Sequence, residues 1–316
     1  MKEIGGYFGL EQLKSDEYYK DLISLNCGRN SLLYLLKTKK IKKIYLPYFL
    51  CSVIRNSLAA NNCEFDYYKI DDEFMPIFNK KLDADEYIYI VNYYGQISNE
   101  KVISLNKQFE NIIMDNTHAF FQKPILGVDT IYTCRKFFGV PDGAYLSTNI
   151  ILDEDIEPDV SKDRMVHLLG RYEGIASDYY KYSRKNDESF SNEPIKYMSK
   201  LTHNILGAID YERVRRIRNE NYAYLDSEFH KENRLNLNIP YGAFAYPLYN
   251  ENAFEIRKKL LQYKIYIPTI WPIMIDEAPL ESIEYKYAAN ILPLPCDQRY
   301  NLKDMELVVG AIKELG

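Results

Sequence analysis

Short apolar runs alternate with helix-forming stretches through the first half of the chain. Residues 87–92 and 112–115 are continuous apolar runs, as expected of strands that are buried on both faces. Residues 31–36 and 51–61 carry apolar side chains at helical spacing. Further strands are expected at 44–47, 64–70, 130–133 and 144–147. Strands that alternate with helices in this way predict an α/β fold with a mostly parallel sheet.

The pattern changes from about residue 153, where an acidic connector begins. Long helices are predicted over 164–182 and 194–230, with a polar loop at 185–192 that we expect to be mobile. A smaller α/β unit follows, with a strand at 244–248, a helix at 253–263, a strand at 265–267 and a final helix at 302–315. We therefore expect a large first domain, residues 1–230, and a small C-terminal domain, residues 231–316.

Composition narrows the class of protein. The 316 residues are 47% hydrophobic and carry a formal net charge of −5, which is ordinary for a soluble globular protein and offers no basic face for nucleic acid. No apolar run approaches the ~20 residues that cross a bilayer. The five cysteines and four histidines are scattered, so neither a disulfide framework nor a metal centre is predicted. Of the classes of protein considered, a cytoplasmic enzyme or a cytoplasmic binding protein is the one that the composition leaves.

Tyrosine is the unusual count, with 30 residues beside 14 phenylalanines and one tryptophan. A polar, aromatic-lined pocket is one interpretation. Codon bias is the other and the one we favour, because Lys, Ile and Asn are enriched together with Tyr.

Ligands of open parallel sheets bind where the carboxyl ends of the strands meet the loops. The first candidate at such an end is the turn Gly28-Arg29-Asn30-Ser31, which opens a predicted helix. Its free backbone N–H groups and the helix dipole would attract a phosphate. Alternatively, Asn30 or Ser31 is a plain N-cap of the helix.

The second candidate is Asp115, which ends a predicted strand and has His118 three residues on. A carboxylate placed there would pair with a protonated ring nitrogen. The alternative is an aspartate that caps its own loop, beside a surface histidine that takes no part in a reaction. A metal site is less favoured, because no cluster of further ligands follows at a suitable spacing.

The third candidate is Lys136, which follows an apolar strand and precedes Phe137 and Phe138. Aromatic neighbours and the adjacent Arg135 would lower the pKa of its amine, which would make it a nucleophile for Schiff bases. An exposed Arg-Lys pair at a strand end is the alternative. The proline and glycines that follow favour a shaped loop.

The order of turn, aspartate and lysine, with Lys136 coming 21 residues after Asp115, resembles the fold-type I pyridoxal-phosphate (PLP) enzymes. Within them it resembles the sugar aminotransferases of the DegT/DnrJ/EryC1/StrS family. The likeness covers most of the chain. It includes an N-terminal segment at 5–11, a strand-proline-aromatic segment at 45–51, a long helix at 213–225 and a C-terminal ending from 291.

The resemblance implies a large PLP-binding domain, a small C-terminal domain and a role for each candidate residue. Asp115 would pair with the pyridinium nitrogen, His118 would lie beside the ring, and Lys136 would bind the cofactor covalently and shuttle a proton. Two sets of residues would hold the cofactor: Gly28, Arg29, Asn30, Ser31 and Thr133 at its phosphate, and one or more of Tyr48, Phe49 and Cys51 over its ring.

The resemblance also implies an activity: transfer of an amino group from an amino acid such as glutamate to a keto-sugar, nucleotide-linked, in surface polysaccharide or amino-sugar biosynthesis. It implies a cytoplasmic homodimer that binds neither nucleic acid nor membrane. The chain departs from the family in the short gap of three residues between Thr133 and Lys136. We therefore keep two alternatives. One is a non-catalytic or regulatory protein, and the other is an enzyme of different PLP chemistry, such as dehydration or elimination.

Overall fold

The computed structural model describes residues 9–13 and 16–315, with the side chain of Asn192 left aside. Residues 5–8, the first part of the segment that resembles the family's N-terminus, lie outside the described residues.

A mixed sheet of eight strands in the described part of the chain carries the candidate residues, in the order β1-β8-β7-β6-β5-β2-β3-β4. Its strands are β1 (Ile23–Leu25), β2 (Lys43–Pro47), β3 (Glu64–Ile70), β4 (Pro76–Ile77), β5 (Glu86–Val91), β6 (Ile112–Asp115), β7 (Asp129–Thr133) and β8 (Ala144–Ser147). The five central strands, β7, β6, β5, β2 and β3, run parallel. The outer strands β8, β1 and β4 pair antiparallel. The predicted α/β fold with a mostly parallel sheet is confirmed.

Eleven α-helices in the described part of the chain lie between or after the strands of this sheet. They are α1 (Gly28–Lys39), α2 (Ser52–Ala60), α3 (Asn99–Phe109), α4 (Val166–Glu173), α5 (Tyr180–Ser189), α6 (Lys200–Leu206), α7 (Tyr211–Phe229), α8 (Ala253–Leu260), α9 (Ile273–Glu277), α10 (Ile283–Asn290) and α11 (Leu302–Leu315). Helix α1 packs on β7 and β8, and α3 packs on β6. Strands β5 and β6 are buried almost throughout, which explains their continuous apolar runs.

The prediction of one long helix over 164–182 is wrong, because the chain breaks after α4. Gly174 adopts extended backbone angles there, and a short 3₁₀ turn (Ala176–Tyr179) precedes α5. The Tyr179 ring lies against the backbone of Gly170, where a Cβ atom would come within 2.2 Å of it. A residue without a side chain at position 170 therefore lets this turn pack closely on α4.

The prediction of one helix over 194–230 is also wrong, because two N-caps divide it. The Ser199 side chain accepts a hydrogen bond at the start of α6, and Asp210 accepts one from the Arg213 amide (2.9 Å) at the start of α7. The polar stretch 185–192, predicted as a loop, is helical. It is anchored by Asn186, whose side chain donates to the Pro141 carbonyl (2.8 Å), and by the buried Phe190 ring.

The C-terminal part of the chain has its own antiparallel pair of strands, β9 (Tyr246–Tyr249) and β10 (Ile291–Leu294). Apolar side chains from α7, α8 and α11 pack around this pair, among them Leu225, Ile256 and Val308. The strand predicted at 265–267 does not form. The domain boundary at residue 230 stays a prediction. Among the described residues, no helix is long and apolar enough to span a membrane.

Candidate active site

A cleft of about 870 Å³ lies at the carboxyl ends of the central strands. Parallel pairing brings the ends of β5, β6 and β7 to one edge of the sheet. Strand β1 pairs antiparallel with β8, and β8 pairs antiparallel with β7, so the start of α1 lies at the same edge. The cleft is therefore bordered by Gly28, Asp115, Thr133 and Lys136, which come from three separate stretches of the sequence.

Lys136 follows β7 and extends into the cleft. Its side chain is accessible from the cleft, whereas its amine lies among protein atoms, 3.0 Å from Nε2 of His118. Desolvation of the charged form lowers the pKa of the Lys136 amine, and the Asp115 carboxylate partly opposes this effect. The amine is thus more easily deprotonated than that of an ordinary lysine.

His118 is buried beside the lysine, with 1% of its surface exposed. Its ring stacks on Phe244, with centroids 4.2 Å apart and planes 4° apart, and is nearly parallel to Trp271 at 5.8 Å. Burial and the positive charge of Lys136 hold the pKa of His118 well below its usual range. The ring is therefore neutral, and we assign Nε2 as the acceptor of a hydrogen bond from the lysine amine.

Asp115 ends β6 and is 7% exposed. Its Oδ1 atom accepts hydrogen bonds from the Thr117 amide (2.9 Å) and from the Thr117 hydroxyl. Its Oδ2 atom accepts one from the Tyr89 hydroxyl (2.8 Å). These donors are suited to an ionised carboxylate, which only accepts hydrogen bonds.

The turn at the start of α1 faces the cleft only in part. Gly28 and Arg29 border it, and a Cβ atom on Gly28 would lie 3.1 Å from Oγ1 of Thr133. Asn30 and Ser31 are buried and bonded elsewhere. The Asn30 amide donates to the Pro194 carbonyl (2.7 Å), and the Ser31 hydroxyl to the Cys27 carbonyl (3.4 Å).

Three residues were predicted over the cofactor ring, and the structure places them differently. Cys51 precedes α2 and borders the cleft. Phe49 is fully buried and packs edge-on against Trp271 at 4.7 Å. The Tyr48 hydroxyl donates to the Glu277 carbonyl (3.0 Å). Their roles, like those of the other candidate residues, stay predictions.

Other residues that border the cleft or contact His118 were missed by the sequence analysis. Tyr89 was missed although strand alternation places it on the same face of β5 as Val91, which pairs with Asp115. Arg135 was noted only as a neighbour of the lysine, yet it borders the cleft itself. Phe244 and Trp271 come from more than 100 residues further along the chain, and no local pattern indicates their position beside His118.

Arg218 of α7 is buried and joins the two parts of the chain behind the cleft. Its guanidinium donates to the carbonyls of Ala243 (2.7 Å) and Phe137 (3.2 Å) and to the Gln298 side chain (2.8 Å). Burial lowers its pKa to about 10. Among the described residues, no group of three acidic, histidine or cysteine side chains could hold a metal ion.

Comparison with known proteins identifies the fold. An aminotransferase of the DegT/DnrJ/EryC1/StrS type from Brucella abortus is 14% identical, with a TM-score of 0.62 over 93% of this chain and 85% of that one. NtdA from Bacillus subtilis, with bound cofactor PMP, is 14% identical, with a TM-score of 0.66 over 95% and 73%. DesV from S. venezuelae, in complex with a ketimine intermediate, is 14% identical, with a TM-score of 0.60 over 96% and 85%.

These similarities define the class of fold: the chain has the architecture of the fold-type I PLP-dependent transferases. No model of a protein family matches the sequence, and the comparison with curated proteins finds no match.

Proposed function

We propose that this protein is a PLP-dependent aminotransferase. The observation that carries the proposal is the meeting of the Lys136 amine, the Asp115 carboxylate and the start of α1 in one cleft. A lysine of lowered pKa, a buried carboxylate and a helix N-terminus supply the three groups that a phosphorylated pyridine aldehyde requires. Solved structures of the same fold with PMP or a ketimine intermediate support this proposal.

The residues present fit the cofactor. Gly28 leaves room at the start of α1 that a side chain would fill, because its Cβ would approach Thr133. Nε of Arg29 and one terminal nitrogen of Arg135 are buried without a hydrogen-bond partner among the described residues. Gly28, Arg29, Arg135 and Thr133 would therefore hold the phosphate.

PLP, when bound, supplies an electron sink for the substrate carbon. Lys136 would hold the cofactor covalently through its amine, and the same amine would take up and return a proton at the substrate carbon that carries the amino group. Asp115 would hold a proton on the ring nitrogen. His118 would restrict the movement of the lysine amine, since Nε2 lies 3.0 Å from it.

We infer a keto-sugar acceptor, nucleotide-linked, and an amino-acid donor such as glutamate, in surface polysaccharide or amino-sugar biosynthesis. Cationic side chains in the cleft support an anionic substrate. Arg171 borders it together with Arg299, which also pairs with Asp297 (2.7 Å). Sugar aminotransferases of the same fold, such as CalS13 from Micromonospora echinospora, support the sugar.

We also propose a homodimer in the cytoplasm. Apolar side chains on and after α4, beside the cleft, are exposed: Leu169 by 56%, Tyr172 by 90% and Ile175 by 69%. A second copy would cover them, because monomers rarely expose large contiguous apolar patches. Light scattering of the purified protein measures the oligomeric state, and a monomer at working concentration would contradict the proposal.

Absorption spectroscopy tests the proposed function. Protein mixed with PLP is expected to show the visible band of a lysine-bound cofactor, and Lys136→Ala is expected to abolish it. Lys123→Ala is the matched control, because burial also lowers the pKa of Lys123 although it lies outside the residues that border the cleft. Absence of the band in the unchanged protein would overturn the proposal.

Amino-donor titration then separates the alternatives. Conversion of the bound cofactor to its amine form by glutamate alone indicates transamination. A stable band that glutamate leaves unchanged would indicate a non-catalytic or regulatory protein. Product release from a sugar without cofactor conversion would indicate dehydration or elimination.

A further inference from the structure

Asp115 accepts three hydrogen bonds, and their distribution over its two oxygens is uneven. An ionised carboxylate has about four acceptor positions, two on each oxygen. Both positions on Oδ1 are used by the amide and hydroxyl of Thr117. Among the described residues, Oδ2 accepts one hydrogen bond, from the Tyr89 hydroxyl at 2.8 Å. The remaining acceptor position is therefore on the oxygen that Tyr89 contacts.

We propose that Tyr89 is a positioning residue for the ring nitrogen of PLP, which it orients through Oδ2 of Asp115. The proposal rests on the proposed function. In this proposal, Oδ2 of Asp115 accepts one hydrogen bond from the Tyr89 hydroxyl and one from the protonated ring nitrogen. The bond from Tyr89 keeps the carboxylate from rotating about the Cβ–Cγ bond of Asp115.

Tyr89 is held rigidly enough for this role. Its side chain is 1% exposed, and it stands on β5, the strand that pairs with β6 and Asp115. The hydroxyl of the neighbouring Tyr68 donates to the Tyr89 carbonyl (2.7 Å), which fixes the backbone at this point. Tyr89 and Asp115 both border the cleft.

Tyr89 acts as a donor in this contact. Burial and the nearby Asp115 carboxylate raise the pKa of the Tyr89 hydroxyl well above its ordinary value. The hydroxyl therefore stays protonated, and its proton lies towards Oδ2, since an ionised carboxylate only accepts. A phenylalanine at this position would keep the ring and remove only the donor.

Binding of two cofactors to Tyr89→Phe tests the proposal. The first is PLP, and the second is an analogue with carbon in place of the ring nitrogen, which cannot bond to Asp115. Tyr93→Phe is the matched control, because Tyr93 is also 1% exposed but its hydroxyl donates to the Phe49 carbonyl (2.6 Å). Dissociation constants are measured by fluorescence titration, and thermal unfolding monitors the fold.

Tyr89→Phe is expected to weaken PLP binding by about tenfold, the scale of a hydrogen bond to a charged group, and binding of the carbon analogue by less than about twofold. Tyr93→Phe is expected to change both constants equally. Equal weakening of the two cofactors by Tyr89→Phe, or no weakening of PLP binding, would overturn the assignment. Failure of the unchanged protein to form a lysine-bound band with PLP would instead overturn the proposed function.

Discussion

Two buried aspartates stand on either side of Lys136 in the sequence, and each accepts three hydrogen bonds. Asp142 accepts from the amide (2.8 Å) and hydroxyl (2.7 Å) of Ser199 and from the Thr202 hydroxyl. It is fully buried, and its donors all belong to the start of α6. Asp115 borders the cleft, and its donors leave one acceptor position on Oδ2.

The difference shows that an aspartate close to Lys136 in the sequence need not lie at the cleft. The motif Pro141-Asp142-Gly143 lies five to seven residues after Lys136, yet its aspartate accepts hydrogen bonds from Ser199, the N-cap of α6. Gly143 adopts a φ of +114°, and its amide donates to the Asn26 carbonyl (2.6 Å). The motif therefore stabilises the loop after the lysine, whereas Asp115 is available to a ligand.

The largest effect is expected from Asp115→Asn. Asparagine keeps an acceptor for Thr117 but no longer holds a proton on a ring nitrogen. Turnover is expected to fall by about 10²–10³-fold, the scale of a lost electrostatic contact in an active site. Steady-state kinetics and thermal unfolding measure the two properties. Full turnover in this variant would contradict the comparison, because Asp115 would then be no more important for the reaction than Asp142.

Asp142→Ala is expected to destabilise the fold and leave the cleft chemistry intact. The substitution leaves the Ser199 amide and two hydroxyls buried without their acceptor, at a cost of about 1–3 kcal/mol in the free energy of unfolding. Urea unfolding measures this loss. The PLP affinity of the folded protein is expected to stay unchanged, and a variant of normal stability but lost affinity would contradict the comparison.

Gly143→Ala sharpens the structural half of the comparison. The Cβ atom of the alanine would lie 3.0 Å from Cγ2 of Thr202, whose hydroxyl donates to Asp142. A φ of +114° is also strained for any residue that has a side chain. We expect a loss of about 2 kcal/mol in the free energy of unfolding, of which the backbone conformation accounts for 1–2 kcal/mol. Gly127→Ala is the control, since Gly127 has a φ of +84° and nothing within 4 Å of its Cβ position. Equal losses in the free energy of unfolding of the two variants would show that the contact with Thr202 contributes nothing.

The smallest effect is expected from His203, which lies on α6, the helix whose first residues donate to Asp142. Glu17 accepts a hydrogen bond from His203 Nδ1 (2.6 Å) and raises the pKa of the histidine above its ordinary value of 6.5. The pair therefore stabilises the fold fully below pH 6.5, and this contribution is lost as the pH rises through the raised pKa. His203→Gln is expected to remove this part of the pH dependence in thermal unfolding between about pH 5 and 8. An unchanged profile would show that the pair contributes nothing.

Several features could be predicted from the sequence because they depend on local patterns. Apolar runs of strand length placed β5 and β6, and strand ends followed by polar residues placed Asp115 and Lys136 at one edge of the sheet. Parallel pairing then requires these ends to meet, even across 21 residues. The break after α4 could not be predicted, because close packing of Tyr179 on Gly170 decides it. The break before α7 has a local signal, the N-cap Asp210, which the prediction of one helix overlooked.

The sequence by itself therefore determined the α/β class, the positions of most strands and the edge at which the candidate site lies. The tertiary structure alone decided the partners of each side chain. It turned Asn30 and Ser31 inward, stacked Phe244 on His118 and brought the Tyr89 hydroxyl to Asp115. Hydrophobic periodicity selects the face of an element, whereas a hydrogen-bond partner depends on rotamers and on packing between segments that are distant in the chain.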